Sequence, residues 1–146
     1  RRGGLMPTAI LCLALMLLGL VSQQPVSPSS STTLDFEFFK TRVQPILIAK
    51  RPGHARCIAC HGQGTPLRFQ PLSPGATTWN DDESRKNFEA IQRVVVPGNV
   101  QSRLLVHPLA EKAGGDFYHN GGKHWSSQND TEWQTLKAFV LGATGR

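Results

Sequence analysis

The chain has 146 residues, three cysteines and a formal charge of +6 at pH 7, with 39% apolar residues. That is enough for one small domain but only a thin core, so a staple or a cofactor is expected. The mild basicity concerns docking partners rather than fold, and without interleaved aromatic and basic residues nucleic acid is not expected as a partner.

Residues 1–23, "RRGGLMPTAILCLALMLLGLVSQ", place two arginines before an apolar run from Ala9 to Val21. A comfortable membrane span needs roughly 20 residues, whereas a signal-peptide core needs roughly 7–15. The segment is therefore expected to direct export to a periplasmic or other extracytoplasmic location. The alternative is an uncleaved membrane tether through residues 5–21, because "GLVSQQ" is only a weak cleavage site. Cys12 lies in this run and reads as one more hydrophobe. Residues 24–33 fall in the Pro/Ser/Thr stretch "QQPVSPSSSTT" and read as a flexible linker. Residues 34–146 remain as a single domain.

The domain opens with "TTLDFEFFKTRVQPILIAK", which predicts a helix. Thr33 or a neighbour caps it, Asp35 and Glu37 occupy its first turn, and Phe36, Phe39 and Val43 share a face. Pro45 is expected to kink or end it, and Pro52-Gly53 to close it. Residues 62–80 read as a long loop. A second helix is predicted over "DDESRKNFEAIQRVVV", with Phe88, Ile91 and Val95 on one face and Pro97-Gly98 as the stop. A short turn or helix at Ser102–Val106 leads into the glycine-heavy "EKAGGDFYHNGGKHW". The last helix, "NDTEWQTLKAFVLG", takes Asn129 or Asp130 as cap and carries Trp133, Leu136 and Val140 on one stripe. There is no alternating strand pattern, so the expected fold class is all-α with long loops. Such loops are uncommon in compact domains unless they wrap something.

What they wrap is suggested by "HARCIACHGQGTPL", residues 54–67. A redox dithiol would place its Cys-x-x-Cys in a βαβ setting, which is missing. A disulfide across so short a loop is awkward and leaves His61 idle. A structural zinc would need Cys57, Cys60 and two histidines, without the usual paired spacing. Covalent attachment of haem c uses all three residues of Cys-x-x-Cys-His: Cys57 and Cys60 bond the two vinyl groups, and His61 ligates the iron. Haem is the preferred reading and zinc the next. Lys50, Arg51, Arg56 and Arg68 crowd this motif, either as a solvated face or as a docking patch.

From about Phe36 to Leu141 the chain resembles a small monohaem, class-I-like bacterial cytochrome c domain of the planctomycete and acidobacterial type. The matching pieces are the helix before "CIACH", then "GQGTPL", "VVVPGNVQSRLLVHPL" and the closing "EWQTLKAFVLG"; only Cys-x-x-Cys-His is highly specific. The resemblance implies a small helical fold wrapped around one covalent haem. It also implies that the Pro66 carbonyl accepts the N–H of His61 and that Leu67 packs on the macrocycle. The family usually supplies a methionine as the sixth iron ligand, but here the only methionines are Met6 and Met16, both in the export segment. The distal ligand is therefore expected to be a histidine. His119 is preferred because Gly114, Gly115, Gly121 and Gly122 bracket it and let backbone approach a bulky ring. His107, His124 and an open iron remain as alternatives, and His54 reads as exposed.

The expected function is electron transfer by bis-histidine iron at low potential, since a methionine ligand would raise it. Redox proteins with acidic docking surfaces are the expected partners. The chain is not expected to be an enzyme. The alternatives are a haem protein whose distal ligand yields to peroxide, oxygen or nitric oxide, with His107, Tyr118 or Arg103 as distal groups, and a zinc-stabilised binding module.

Overall fold

The structure is a computed structural model that describes residues 32–145. The export segment, Cys12 and most of the linker lie outside the described residues. Regular structure among the described residues is helical: α1 Phe36–Phe38, a π-helical turn Phe39–Val43, α2 Gln44–Ile48, α3 Cys57–His61, α4 Asp81–Ile91, α5 Arg103–Val106, a 3-10 turn Glu111–Ala113 and α6 Thr131–Val140. The one β feature among them is an isolated bridge between Leu109 and Trp125. The chain is thus all-α with long loops, as its periodicity predicts.

The first three segments run as one rod. Its cap is Asp35, whose carboxylate accepts from Phe38 N at 2.6 Å, rather than Thr33. Pro45 neither ends nor breaks the rod. Proline has no N–H to give and its ring crowds the carbonyl four residues back. The preceding turn widens instead to i→i+5 bonding, with Gln44 N reaching Phe39 O, and the helix continues to Ile48. This π turn keeps both Phe39 and Val43 fully buried.

Helix α6 is capped by Asp130 and packs across that rod, with the Phe39 and Phe139 rings 6.0 Å apart. Phe88 of α4 meets both rings, at 5.5 and 6.3 Å, so three helices share one aromatic cluster. Helix α4 starts on a full capping box between Asn80 and Glu83. It ends at Ile91, well short of Pro97. Ser102 explains the early stop: its hydroxyl accepts from Val96 N and has the Asn99 carbonyl at 2.7 Å and the Val96 carbonyl at 3.0 Å as acceptors for its one proton, while Leu104 N reaches Val94 O. Val94 N still closes onto Ile91 O at 3.0 Å, but the Val94 carbonyl and both backbone groups of Val96 bond to the following turn. Val95 still points inward and is buried.

The 62–80 loop is fastened to α4. Asn87, fully buried, accepts from Gln70 N at 2.7 Å, and the Trp79 indole donates to Gln70 O at 2.8 Å. Phe69, 1% exposed, sits between them and the cysteine motif. The second long loop folds back on α5, with Asp116 N on Val106 O and Ala110 N on Trp125 O. Both long loops therefore border one cleft.

Candidate functional site

Cys57-Ile-Ala-Cys60-His61 forms a single helical turn, α3. Positions i, i+3 and i+4 share a helix face, so both thiols and the imidazole are turned to one side. All three line an open-mouthed cleft with a cavity volume of about 280 Å3. Pro66, Leu67 and His119 line the same cleft, as do His107 and His124. Both cysteines are free thiols. Cys60 is exposed, and Cys57 is mostly enclosed. Burial pushes the Cys57 thiol above its ordinary pKa, opposed by the Arg51 guanidinium, whose Nη1 lies 3.9 Å from the sulfur.

His61 is held from behind. Its Nδ1 donates to the Leu67 carbonyl at 2.8 Å and lies 2.9 Å from Thr65 Oγ1, while the Thr65 hydroxyl also donates to Leu67 O. The acceptor is therefore Leu67, one residue beyond the expected Pro66 carbonyl. Pro66 instead sets the turn on the exposed rim, and Leu67 is half-buried. A backbone carbonyl on Nδ1 selects the tautomer that leaves Nε2 bare. Phe69 braces the ring at 5.9 Å, and Phe69 N closes onto His61 O at 2.7 Å.

His119 repeats the arrangement from the opposite loop. Its Nδ1 donates to Gly122 O at 2.5 Å, again freeing Nε2. Burial pushes its pKa down, partly countered by the Gly122 carbonyl. The ring centres of His61 and His119 are 6.3 Å apart and their planes differ by 19°. Two imidazoles sharing one metal through nitrogens at roughly 2 Å each have ring centres roughly 6 Å apart.

His107 is otherwise committed. Its Nδ1 pairs with Asp116 Oδ2 at 2.7 Å and its Nε2 faces Arg103 Nη2 at 3.5 Å. Both of its ring nitrogens thus face polar side chains, unlike those of His119. Its ring packs edge-on against His119 at 4.8 Å and braces it. His124 lies 5.8 Å from His119, with burial, then Arg51, lowering its pKa to about 4. His54 is half-buried rather than exposed, because its ring rests on His124 at 5.0 Å. The five histidines of the chain thus form one connected set of rings, four of which line the cleft.

Several supporting residues had no clear sequence signal. Arg51 belongs to no exposed patch: its Nε pairs with Glu132 Oε2 at 2.5 Å, its Nη2 donates to Ile46 O at 2.8 Å, and its guanidinium lies 5.4 Å from the Trp125 ring. The Trp125 indole donates to the same Glu132 oxygen at 3.1 Å. This network ties α2, the cysteine turn and α6 together across 81 residues of sequence, a separation no local pattern reveals. Arg56 and Arg103 are exposed and line the cleft, and Tyr118 is exposed on its rim with its hydroxyl donating to Asn120.

No family model, curated protein or solved structure matches this chain. The functional argument therefore rests on the cleft. Among the described residues, no three His, Cys, Asp or Glu side chains converge as a structural zinc would require. A haem asks less of the protein: two thiols on one wall, one imidazole beside them and a second across the gap. Cys57, Cys60, His61 and His119 meet that requirement, and the paired Nδ1 tethers leave both Nε2 atoms as donors. The residues fit the group.

Proposed function

We propose that the protein is an exported monohaem c-type cytochrome, carrying single electrons between redox partners. The observation that carries this reading is the pair of tethered imidazoles, His61 and His119, 6.3 Å apart in a cleft that also holds both thiols. Cys57 and Cys60 would hold the haem as thioethers, His61 would be its proximal ligand and His119 its distal one. When bound, the haem supplies a one-electron iron couple. The chain's own residues set its character. The Leu67 and Gly122 carbonyls orient the imidazoles and raise their basicity. Two nitrogen ligands without methionine favour a low potential. Buried Phe69, Trp125 and Leu136 give the cleft an apolar wall, while exposed Arg56 and Arg103 at its mouth suit an acidic redox partner. The fold would then be cytochrome c-like, with the N- and C-terminal helices crossing behind the haem.

The test is expression in a bacterial host equipped for cytochrome maturation. Haem is expected to stay with the chain through denaturation, and the pyridine haemochrome spectrum to show two thioethers. Cys57→Ser with Cys60→Ser should abolish the attachment. The ferric spectrum should be low-spin, without the near-infrared band of methionine ligation. Colourless protein from such a host would refute the proposal. A second reading, binding of a small molecule at the iron, is favoured by one observation: His119 sits on a loop flanked by exposed Tyr118 and Asn120. Rapid carbon monoxide binding to the reduced protein would select it.

A further inference from the structure

Among the described residues, four buried side-chain polar atoms have no hydrogen-bond partner: Gln44 Oε1, Ser84 Oγ, Asn87 Nδ2 and His124 Nδ1. Only His124 lines the cleft. A buried nitrogen left unmet costs about 1–3 kcal/mol, and such a group in a native protein calls for a missing partner. His124 is also the anchored histidine of the distal side. Its backbone N–H donates to Pro108 O at 2.8 Å, and the next residue, Trp125, is buried, accepts from Ala110 N at its carbonyl and bonds Glu132 through its indole.

His119 is placed differently. It follows Phe117 and Tyr118, which are 86% and 57% exposed. Its ring is tethered to its own loop through Gly122, a glycine at φ 79°. The two rings meet edge-on, with centres 5.8 Å apart. One histidine is thus carried by a surface loop and tethered only to that loop by hydrogen bond, and the other is fixed beside it with a nitrogen to spare.

Resting on the haem reading above, we propose that His124 is a reserve axial ligand. The distal position is a two-state site in which His119 is the resident donor and His124 takes the iron when the 117–122 loop swings away. Loop opening then exchanges one imidazole for another rather than exposing the iron to small molecules.

The test uses the haem-loaded full chain. His119→Ala should keep a low-spin ferric spectrum, and its reduced form should bind carbon monoxide at least tenfold more slowly than His119→Ala/His124→Ala. The double variant should be high-spin, and added imidazole should return it to low spin, showing that the cleft is still folded. His124→Asn in place of His124→Ala should give the same result. His124→Ala alone should leave the wild-type spectrum unchanged. A high-spin His119→Ala overturns the proposal, as does a double variant that stays low-spin. Loss of low spin in His124→Ala alone also overturns it, since His124 would then be the resident ligand. These failures leave the haem reading standing; wild-type protein without covalent haem would end both.

Discussion

His61 owes its orientation to neighbours that contribute no chemistry themselves. Phe69 is the largest of them, wedged at a tilt between His61 and Trp79 with ring centres 5.9 Å from each. Replacing it by alanine removes a buried aromatic and leaves a void beside the imidazole. Phe69→Ala is expected to cost about 3–5 kcal/mol, measured by urea unfolding, and to broaden the His61 ring resonances. An unchanged midpoint would show that Phe69 is not a brace. His124 gives the second prediction at this scale. Its folded pKa, about 4, lies below its ordinary value of 6.5, with burial the main cause, then Arg51, His54 and His119. The folded state therefore binds fewer protons than the unfolded one between those values. Its contribution is complete above about pH 6.5 and is lost as pH falls toward about 4. Melting temperature of the haem-free chain should drop from pH 6.5 to 5, before carboxylates titrate, and His124→Gln should flatten that slope.

At the scale of elements, the distal loop depends on one backbone crossing. Gly115 passes so close to the chain that an added Cβ would sit 1.9 Å from Leu109 O and 2.9 Å from Val106 O. The same crossing carries Gly115 N to Ala110 O and Asp116 N to Val106 O, and with them the Asp116 carboxylate that holds His107. Gly115→Ala is expected to cost about 1–3 kcal/mol as overpacking and to release the 116–124 loop, seen as faster amide exchange there than in α4. Uniform exchange would mean that the loop has other anchors. The π turn in the first rod teaches a related lesson. A proline that should stop a helix is absorbed because Phe39 and Val43 gain more by staying in the core than the widened turn loses.

Across the whole molecule, two loops meet over one cleft whose mouth carries exposed Arg56 and Arg103, in a chain with a formal charge of +6. Steering by such charges is screened within about 10 Å at 0.1 M salt. In haem-loaded protein, oxidation by ferricyanide, an anion, should slow several-fold between 10 mM and 500 mM salt. A cationic cobalt complex should respond in the opposite direction, and the Arg56→Gln/Arg103→Gln variant should lose most of both effects. Equal salt responses to the two reagents would place the electron-exchange surface elsewhere.

Much of this was legible in the chain itself: the helical class, the Asp130 cap, the stripe of α6 and the Ser102 turn follow from local periodicity and capping. Cys-x-x-Cys-His states its spacing locally and a glycine-bracketed histidine stands out in composition, and the fold brings these residues to one cleft. That residues 32–145 hold no methionine needed only an inventory. What required the folded chain was every relation across distance. Sequence could not choose Leu67 over Pro66 as the His61 acceptor, since a one-residue difference in a turn is decided by how Phe69 packs. It could not separate His107 from His119, because that depends on Asp116 and Arg103 occupying both nitrogens of one ring and neither of the other. Nor could it draw Arg51 out of the basic cluster to Glu132, or place His54 against His124. Local patterns fix which groups a segment offers; only packing decides which of those groups are used up by neighbours and which are left free to bind.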